Sequence, residues 1–91
     1  MRSKVAEQIK NETPEETRIF VHRYTDIVLR INQILKEKGY TQRELAQKMN
    51  KKPSEINKWL KSNHNLTLKT LAKLEAELGE QIIYTSREQM I

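Results

Sequence analysis

The sequence predicts a small all-α domain, a helical bundle that begins with a long helix and ends in one short β-strand. Capping signals stand at Thr13, Thr41 and Thr67, and apolar residues follow each of them at helical spacing. One stretch, residues 81–85, is instead β-branched and aromatic. The chain of 91 residues has room for a single domain of this kind. Such a domain is marginally stable alone, because a small chain buries only about 60–65% of its unfolded surface.

The composition excludes several classes of protein. The absence of cysteine rules out disulfides, thiolate zinc sites and cysteine nucleophiles. No apolar run approaches the ~18 residues of a membrane span, and residues 1–10 lack the apolar core of a signal peptide. We therefore expect a cytoplasmic protein that does not contact a membrane. The net charge is +5, and residues 41–62 hold six basic and two acidic residues, so most of the excess lies there.

The first helix is predicted over residues 14–38. Thr13, Pro14 and Glu16 form the pattern of a capping box with proline at the first helical position. Gly39 is a natural left-handed end for the helix. The predicted core stripe consists of Ile27, Ile31, Ile34 and Leu35. In the last helix, residues 68–78, the predicted core positions are Leu68, Leu71, Ala72, Leu74 and Leu78.

Residues 41–61 predict two short helices joined by a tight turn. Thr41 and Glu44 suit a reciprocal capping box, Asn50 tolerates the left-handed conformation that ends a helix, and Pro53 fits a first helical position. The apolar positions are Leu45, Ala46 and Met49, then Ile56, Trp59 and Leu60. Helices joined in this way cross at roughly 90–120°. The second helix should therefore protrude and fit a DNA major groove, which is about 12 Å wide.

This segment resembles the Xre/Cro/C1-type repressor family and its lambda-repressor-like helix-turn-helix domain. The resemblance continues to about Glu80 and is carried by Gln42, Leu45, Ala46, Ile56 and Trp59. The sequence departs from the family pattern at three positions: Asn50 replaces the usual turn glycine, Lys51 replaces an apolar residue, and Ser62 replaces the glycine after the second helix. We expect residues 1–12 to be flexible, residues 13–80 to form the domain, and residues 81–91 to form the strand and tail.

The resemblance and the local positive charge together predict binding to double-stranded DNA. Gln42 and the N-termini of both motif helices are expected to hold phosphates. Asn57 could recognise adenine and Lys58 guanine, while Glu55 could accept from cytosine or discriminate against other bases. Pro53 offers only apolar contact. The predicted DNA-binding residues are Gln42, Arg43, Lys52, Pro53, Ser54, Glu55, Asn57, Lys58, Lys61 and Asn65.

The predicted strand at residues 81–85 has nothing to pair with inside the chain. The same strand of a second copy could pair with it across a two-fold axis. The predicted dimerisation residues are therefore Gln81, Ile82, Ile83, Tyr84 and Thr85. The alternative is a tail that places Ile82 and Tyr84 on the bundle. A two-fold dimer would bind an inverted-repeat operator.

We expect no catalytic residue, cofactor or metal. His22 and Asp26 have a spacing compatible with metal ligation but lack a third ligand nearby, and Ser54 has no base beside it. The expected function is that of a dimeric transcriptional repressor. The small size and long first helix also resemble HigA-like antitoxins, which implies a toxin partner. The apolar residues Ile19, Phe20 and Tyr24 need a cover, and we expect the toxin to supply it; the alternative covers are the C-terminal segment and a second subunit. The alternatives are an Xre-type or phage-type repressor without a toxin, or a protein-interaction module of the same fold.

Overall fold

The computed structural model describes residues 13–86, which form four helices and no strand. The helices are α1 (Glu15–Lys38), α2 (Gln42–Met49), α3 (Pro53–Lys61) and α4 (Leu68–Leu78). The predicted all-α bundle with a long first helix is thus confirmed within this range. The segment predicted to be flexible, residues 1–12, and the tail from residue 87 onward lie outside the described residues.

Helix α1 starts one residue later than the sequence indicated. Pro14 is its N-cap, with no side-chain cap hydrogen bond, and the Pro14 carbonyl accepts from the N–H groups of Thr17 and Arg18 at 3.0 and 3.3 Å. The N-cap is thus Pro14 rather than Thr13, and the predicted placement of proline at the first helical position is wrong. At the other end Gly39 adopts φ 70° and closes the helix as predicted.

The motif helices begin and end as the sequence predicted. The Glu44 N–H donates to Thr41 Oγ1 at 3.1 Å, and the Thr41 N–H donates back to Glu44 Oε1 at 3.3 Å, which completes the capping box. Asn50 takes φ 57°. The next residue, Lys51, donates its N–H to the Ala46 carbonyl at 2.8 Å, which completes a Schellman turn. Pro53 then opens α3, so only residues 50–52 separate the two helices.

The core lies where one side of each helix meets the others, and α2 packs against both α3 and α4. Its buried members are Ile31, Ile34, Leu35, Leu45, Ala46, Met49, Ile56, Leu60, Leu71, Leu74, Leu78 and Ile82. Ile27 and Trp59 are half-buried and pack against this core. Leu68 and Ala72 were predicted to belong to it but are exposed. They lie four residues apart and so share the outer face of α4.

The C-terminal segment is held on the bundle by side chains. The N–H groups of Ile82 and Ile83 donate to Glu75 Oε2 at 2.7 and 3.2 Å, and Arg30 Nε donates to the Gln81 carbonyl at 3.0 Å. The predicted strand is wrong, because these side chains bond backbone groups that a strand ladder would use. Ile82 is buried while Tyr84 is half exposed, so the alternative of a packed tail is confirmed for Ile82 alone.

Candidate nucleic-acid interface

Helix α3 is fixed to the bundle by one side and by its end. Ile56 and Leu60 are buried, and Trp59 packs at the edge of the core. The carbonyl of Trp59 lies in the last turn, where the helix itself supplies no donor. The hydroxyl of Tyr24 in α1 donates to that carbonyl. The orientation of helix α3 is therefore set by the core and by α1.

The outer side of α3 is polar and exposed. It presents the side chains of Ser54, Asn57, Lys58 and Lys61. Among residues 13–86, no carboxylate oxygen lies within 4.0 Å of the ammonium groups of Lys58 or Lys61. Amide and ammonium groups that are exposed on a fixed helix can donate to base edges in a major groove. These four predicted contacts thus occur together on one surface, which we call the α3 outer face.

The N-termini of the two motif helices extend the positive surface. Lys52 is the N-cap of α3 and gives it no side-chain cap, and Pro53 has no N–H. The N–H of Ser54 in this first turn can therefore donate to an external acceptor such as a phosphate oxygen. At the start of α2, Gln42 is half-buried and Arg43 is exposed. The partial positive charge of both helix ends favours an anion there.

Glu55 differs from its neighbours on α3. It is half-buried, and its Oε2 lies 4.0 Å from Nζ of Lys51. This i,i+4 pair places a cation beside the carboxylate and reduces its repulsion of a phosphate backbone. Lys51 is one of the positions at which the sequence departs from the family pattern, and its side chain forms this ion pair with Glu55.

Asn65, the last predicted DNA contact, follows α3 in the chain and is not part of that helix. It is exposed in the loop between α3 and α4. Together with Phe20 and Asn63 it lines a cleft of about 370 Å³ beside the front half of α1. Asn63 has φ 48° and was not singled out in the sequence. Ser62 ends α3 at φ −121°, so the left-handed residue that reverses the chain is Asn63, one position after the usual glycine.

Tyr24 was assigned to a partner surface, and this assignment is wrong. The side chain is only 7% exposed, and the Phe20 ring lies against it with a centroid distance of 6.0 Å. The sequence does hold a sign of this burial, because Tyr24 precedes Ile27 by three residues and Ile31 by seven, on the core stripe of α1. Ile19 remains exposed, at 44%.

The described residues hold no cluster of three side chains that could ligate a metal ion. His22 Nε2 and Asp26 Oδ2 lie 3.6 Å apart as an exposed pair. Residues 13–86 also include no helix that is long and apolar enough to cross a bilayer.

Helix α3 is short, exposes Lys58 and Lys61, and begins three residues after the left-handed Asn50 that ends α2. This arrangement is that of a helix-turn-helix DNA-binding regulator. Residues 31–84, more than half of the chain, match the helix-turn-helix family HTH_3. The chain belongs to this family of Xre-type domains, which confirms the resemblance at the level of the family. Searches of curated proteins and of solved structures found no match.

Proposed function

We propose that this protein is a sequence-specific transcriptional repressor that binds an inverted-repeat operator as a homodimer. The α3 outer face is the observation that carries the proposal. Ile56 and Leu60 anchor α3 in the core, and Asn57 and Lys58 face away from it. A rigid helix with exposed hydrogen-bonding groups can distinguish base pairs, because each pair presents its own donors and acceptors in the major groove.

Phosphate contacts set the register of the domain on the duplex. The Ser54 N–H, the start of α2 and the side chains of Arg43 and Lys52 hold the backbone from both motif helices. Within this register the Asn57 amide pairs with adenine and the Lys58 ammonium donates to guanine. Pro53 contributes an apolar contact with a thymine methyl. Bound to an operator that overlaps a promoter, the dimer would exclude the polymerase.

Selection of binding sites from random duplexes tests this proposal. We expect the selected sites to be inverted repeats whose half-site centres lie about 10 bp, or a multiple of this, apart. Asn57→Ala should cost about 1–3 kcal/mol of binding free energy on the selected site and far less on unrelated duplexes. Asn32→Ala is the matched control, because Asn32 is exposed on α1. Absence of duplex binding at low salt would contradict the proposal and favour a protein-interaction module.

A second candidate is the antitoxin of a toxin–antitoxin module, similar to HigA-like proteins, which would repress its own operon and neutralise a toxin. One observation favours it. The front half of α1 precedes the matched residues 31–84 and exposes the apolar side chains of Ile19 and Val21. Residues two apart project from different sides of a helix, so a protein partner that contacts both must wrap around this half of α1.

The antitoxin candidate has its own test. The double variant Ile19→Glu/Val21→Glu changes two exposed positions, so the fold and operator binding should persist. Neutralisation of the toxin from the adjacent gene should be lost on co-expression. If the double variant still neutralises this toxin, Ile19 and Val21 do not belong to the toxin interface. If the product of the adjacent gene is harmless and does not co-purify with the intact protein, the protein is a repressor without a toxin partner.

A further inference from the structure

A groove of about 420 Å³ lies between α1, α4 and the C-terminal segment. The groove is lined by the apolar side chains of Ile27, Ile83 and Tyr84, and also by Leu68. Leu68 is 76% exposed and Tyr84 is 50% exposed. Single exposed leucines are common on protein surfaces, but a concave apolar surface with exposed rims is typical of a binding site.

The groove and the α3 outer face are separate. None of the ten predicted DNA-binding residues lines the groove. A protein bound in it would therefore leave α3 free for DNA. The groove also contains Ile82, Ile83 and Tyr84, three of the residues predicted to dimerise, but through their side chains rather than through a strand ladder.

Two opposite charges line the α1 side of the groove. Arg23 and Asp26 lie three residues apart, so both side chains project from the same side of the helix. In the described part of the chain, no carboxylate oxygen lies within 4.0 Å of the Arg23 guanidinium, and Asp26 Oδ2 lies 3.6 Å from Nε2 of the exposed His22. A surface with one cation, one anion and an apolar centre complements a copy of itself when a two-fold axis relates the two.

We propose that this groove is the homodimer interface, in which a second copy docks across a two-fold axis with Leu68 packed into the apolar surface. Arg23 then pairs with Asp26 of the partner subunit, and Asp26 with Arg23 of the partner subunit. The proposal rests on the proposed function, because an inverted-repeat operator requires a two-fold dimer. It replaces strand pairing with side-chain packing.

Sedimentation equilibrium of the full chain without DNA tests the interface. We expect Leu68→Glu to raise the dimer Kd about tenfold or more, because it places two carboxylates in an apolar surface. Leu29→Glu is the matched control: Leu29 is 63% exposed on α1 and does not line the groove. The control should dimerise as the unmodified protein does, and both variants should keep their helical circular dichroism.

A charge exchange identifies the geometry of the interface. Arg23→Asp and Asp26→Arg should each weaken the dimer, because each places like charges opposite one another across the axis. The double variant Arg23→Asp/Asp26→Arg should recover most of the affinity, since both pairs form again with their signs reversed. A monomeric unmodified protein, a Leu68→Glu dimer of normal affinity, or a double variant as weak as the single variants would each overturn the proposal.

Duplex binding separates a failure of the interface from a failure of the proposed function. If the unmodified dimer binds no duplex but Leu68→Glu dissociates it, the interface stands and the repressor function fails. If an inverted repeat is bound with equal affinity by the unmodified protein and by Leu68→Glu, the function stands and the interface fails. If both the interface and the repressor function are correct, Leu68→Glu loses affinity for the full inverted repeat and keeps the weaker affinity for one half-site.

Discussion

The hydroxyl of Tyr24 donates a hydrogen bond to the backbone carbonyl of Trp59, 35 residues further along the chain. This bond joins the front half of α1 to the last turn of α3. It gives a partner to a helix-terminal carbonyl that would otherwise have none in the helix. The front half of α1 lies outside the residues that match the family, yet it helps to position the helix that we propose to contact DNA.

Removal of this hydroxyl tests its structural role. We predict that Tyr24→Phe lowers the free energy of unfolding by about 1–2 kcal/mol, because the ring remains packed while a part-buried carbonyl loses its donor. Urea denaturation followed by circular dichroism measures the change. Asn32→Ala, at an exposed residue of the same helix, serves as the control and should stay within about 0.5 kcal/mol of the unmodified protein. Equal stability of both variants would show that the bond contributes nothing.

The left-handed residue between α2 and α3 gives a second prediction. Asn50 has φ 57°, a conformation that costs an ordinary L-residue about 1–2 kcal/mol. Asn50→Ala should therefore lower the Tm, whereas Asn50→Gly should not, because glycine adopts this conformation without a steric penalty. Thermal unfolding of the two variants measures the difference. If alanine and glycine give the same Tm, the turn tolerates another geometry.

The carboxylate of Glu75 gives a third prediction. It accepts from the N–H groups of both Ile82 and Ile83, so Glu75→Ala should destabilise the fold by about 1–3 kcal/mol and speed hydrogen exchange at both amides. Glu75→Gln keeps an acceptor oxygen and should lose less. Glu77→Ala is the control, because Glu77 is exposed on the same helix. Unchanged exchange in Glu75→Ala would mean that other contacts hold the C-terminal segment.

The fourth prediction concerns the salt dependence of DNA binding. Lys61→Ala should weaken binding to all duplexes alike and reduce the slope of log affinity against log salt by about one, because one fewer phosphate is neutralised. Fluorescence anisotropy over a salt series measures the slope. Lys73→Ala removes an exposed lysine of α4, outside the motif, and should leave the slope unchanged. Equal slopes for the two variants would place Lys61 away from the phosphates.

The sequence predicted the helix ends where the necessary partners are close neighbours. Thr41 and Glu44 bond each other across one turn, Thr67 accepts from Thr70 in the same way, and Gly79 ends α4 at φ 70°. Such hydrogen bonds depend on residue type and spacing along a few positions. The start of α1 was wrong by one residue, since Pro14 is the N-cap and not the first helical residue.

The sequence likewise predicted the positions of some residues of the candidate site and not of others. The sequence placed Asn57, Lys58 and Lys61 on one face, because their spacing to the buried Ile56 and Leu60 fixes which way they point on a helix. Asn65 lies in the loop after α3, next to Phe20 of α1. No local rule gives the position of that loop relative to Phe20, which lies more than 40 residues earlier in the chain.

The sequence by itself determined the four helices, the ends of the two motif helices, most of the core positions and the basic outer face of α3, because each depends on residues within one or two turns. Only the tertiary structure decided the roles of Tyr24 and of residues 81–83. Tyr24 is anchored to Trp59, and the C-terminal segment is held by Glu75 and Arg30. The strand propensity of Ile82 and Ile83 was outweighed because Glu75 of α4 accepts from both of their N–H groups, while Arg30 of α1 donates to the neighbouring Gln81 carbonyl. Those partners become neighbours only when the bundle has packed.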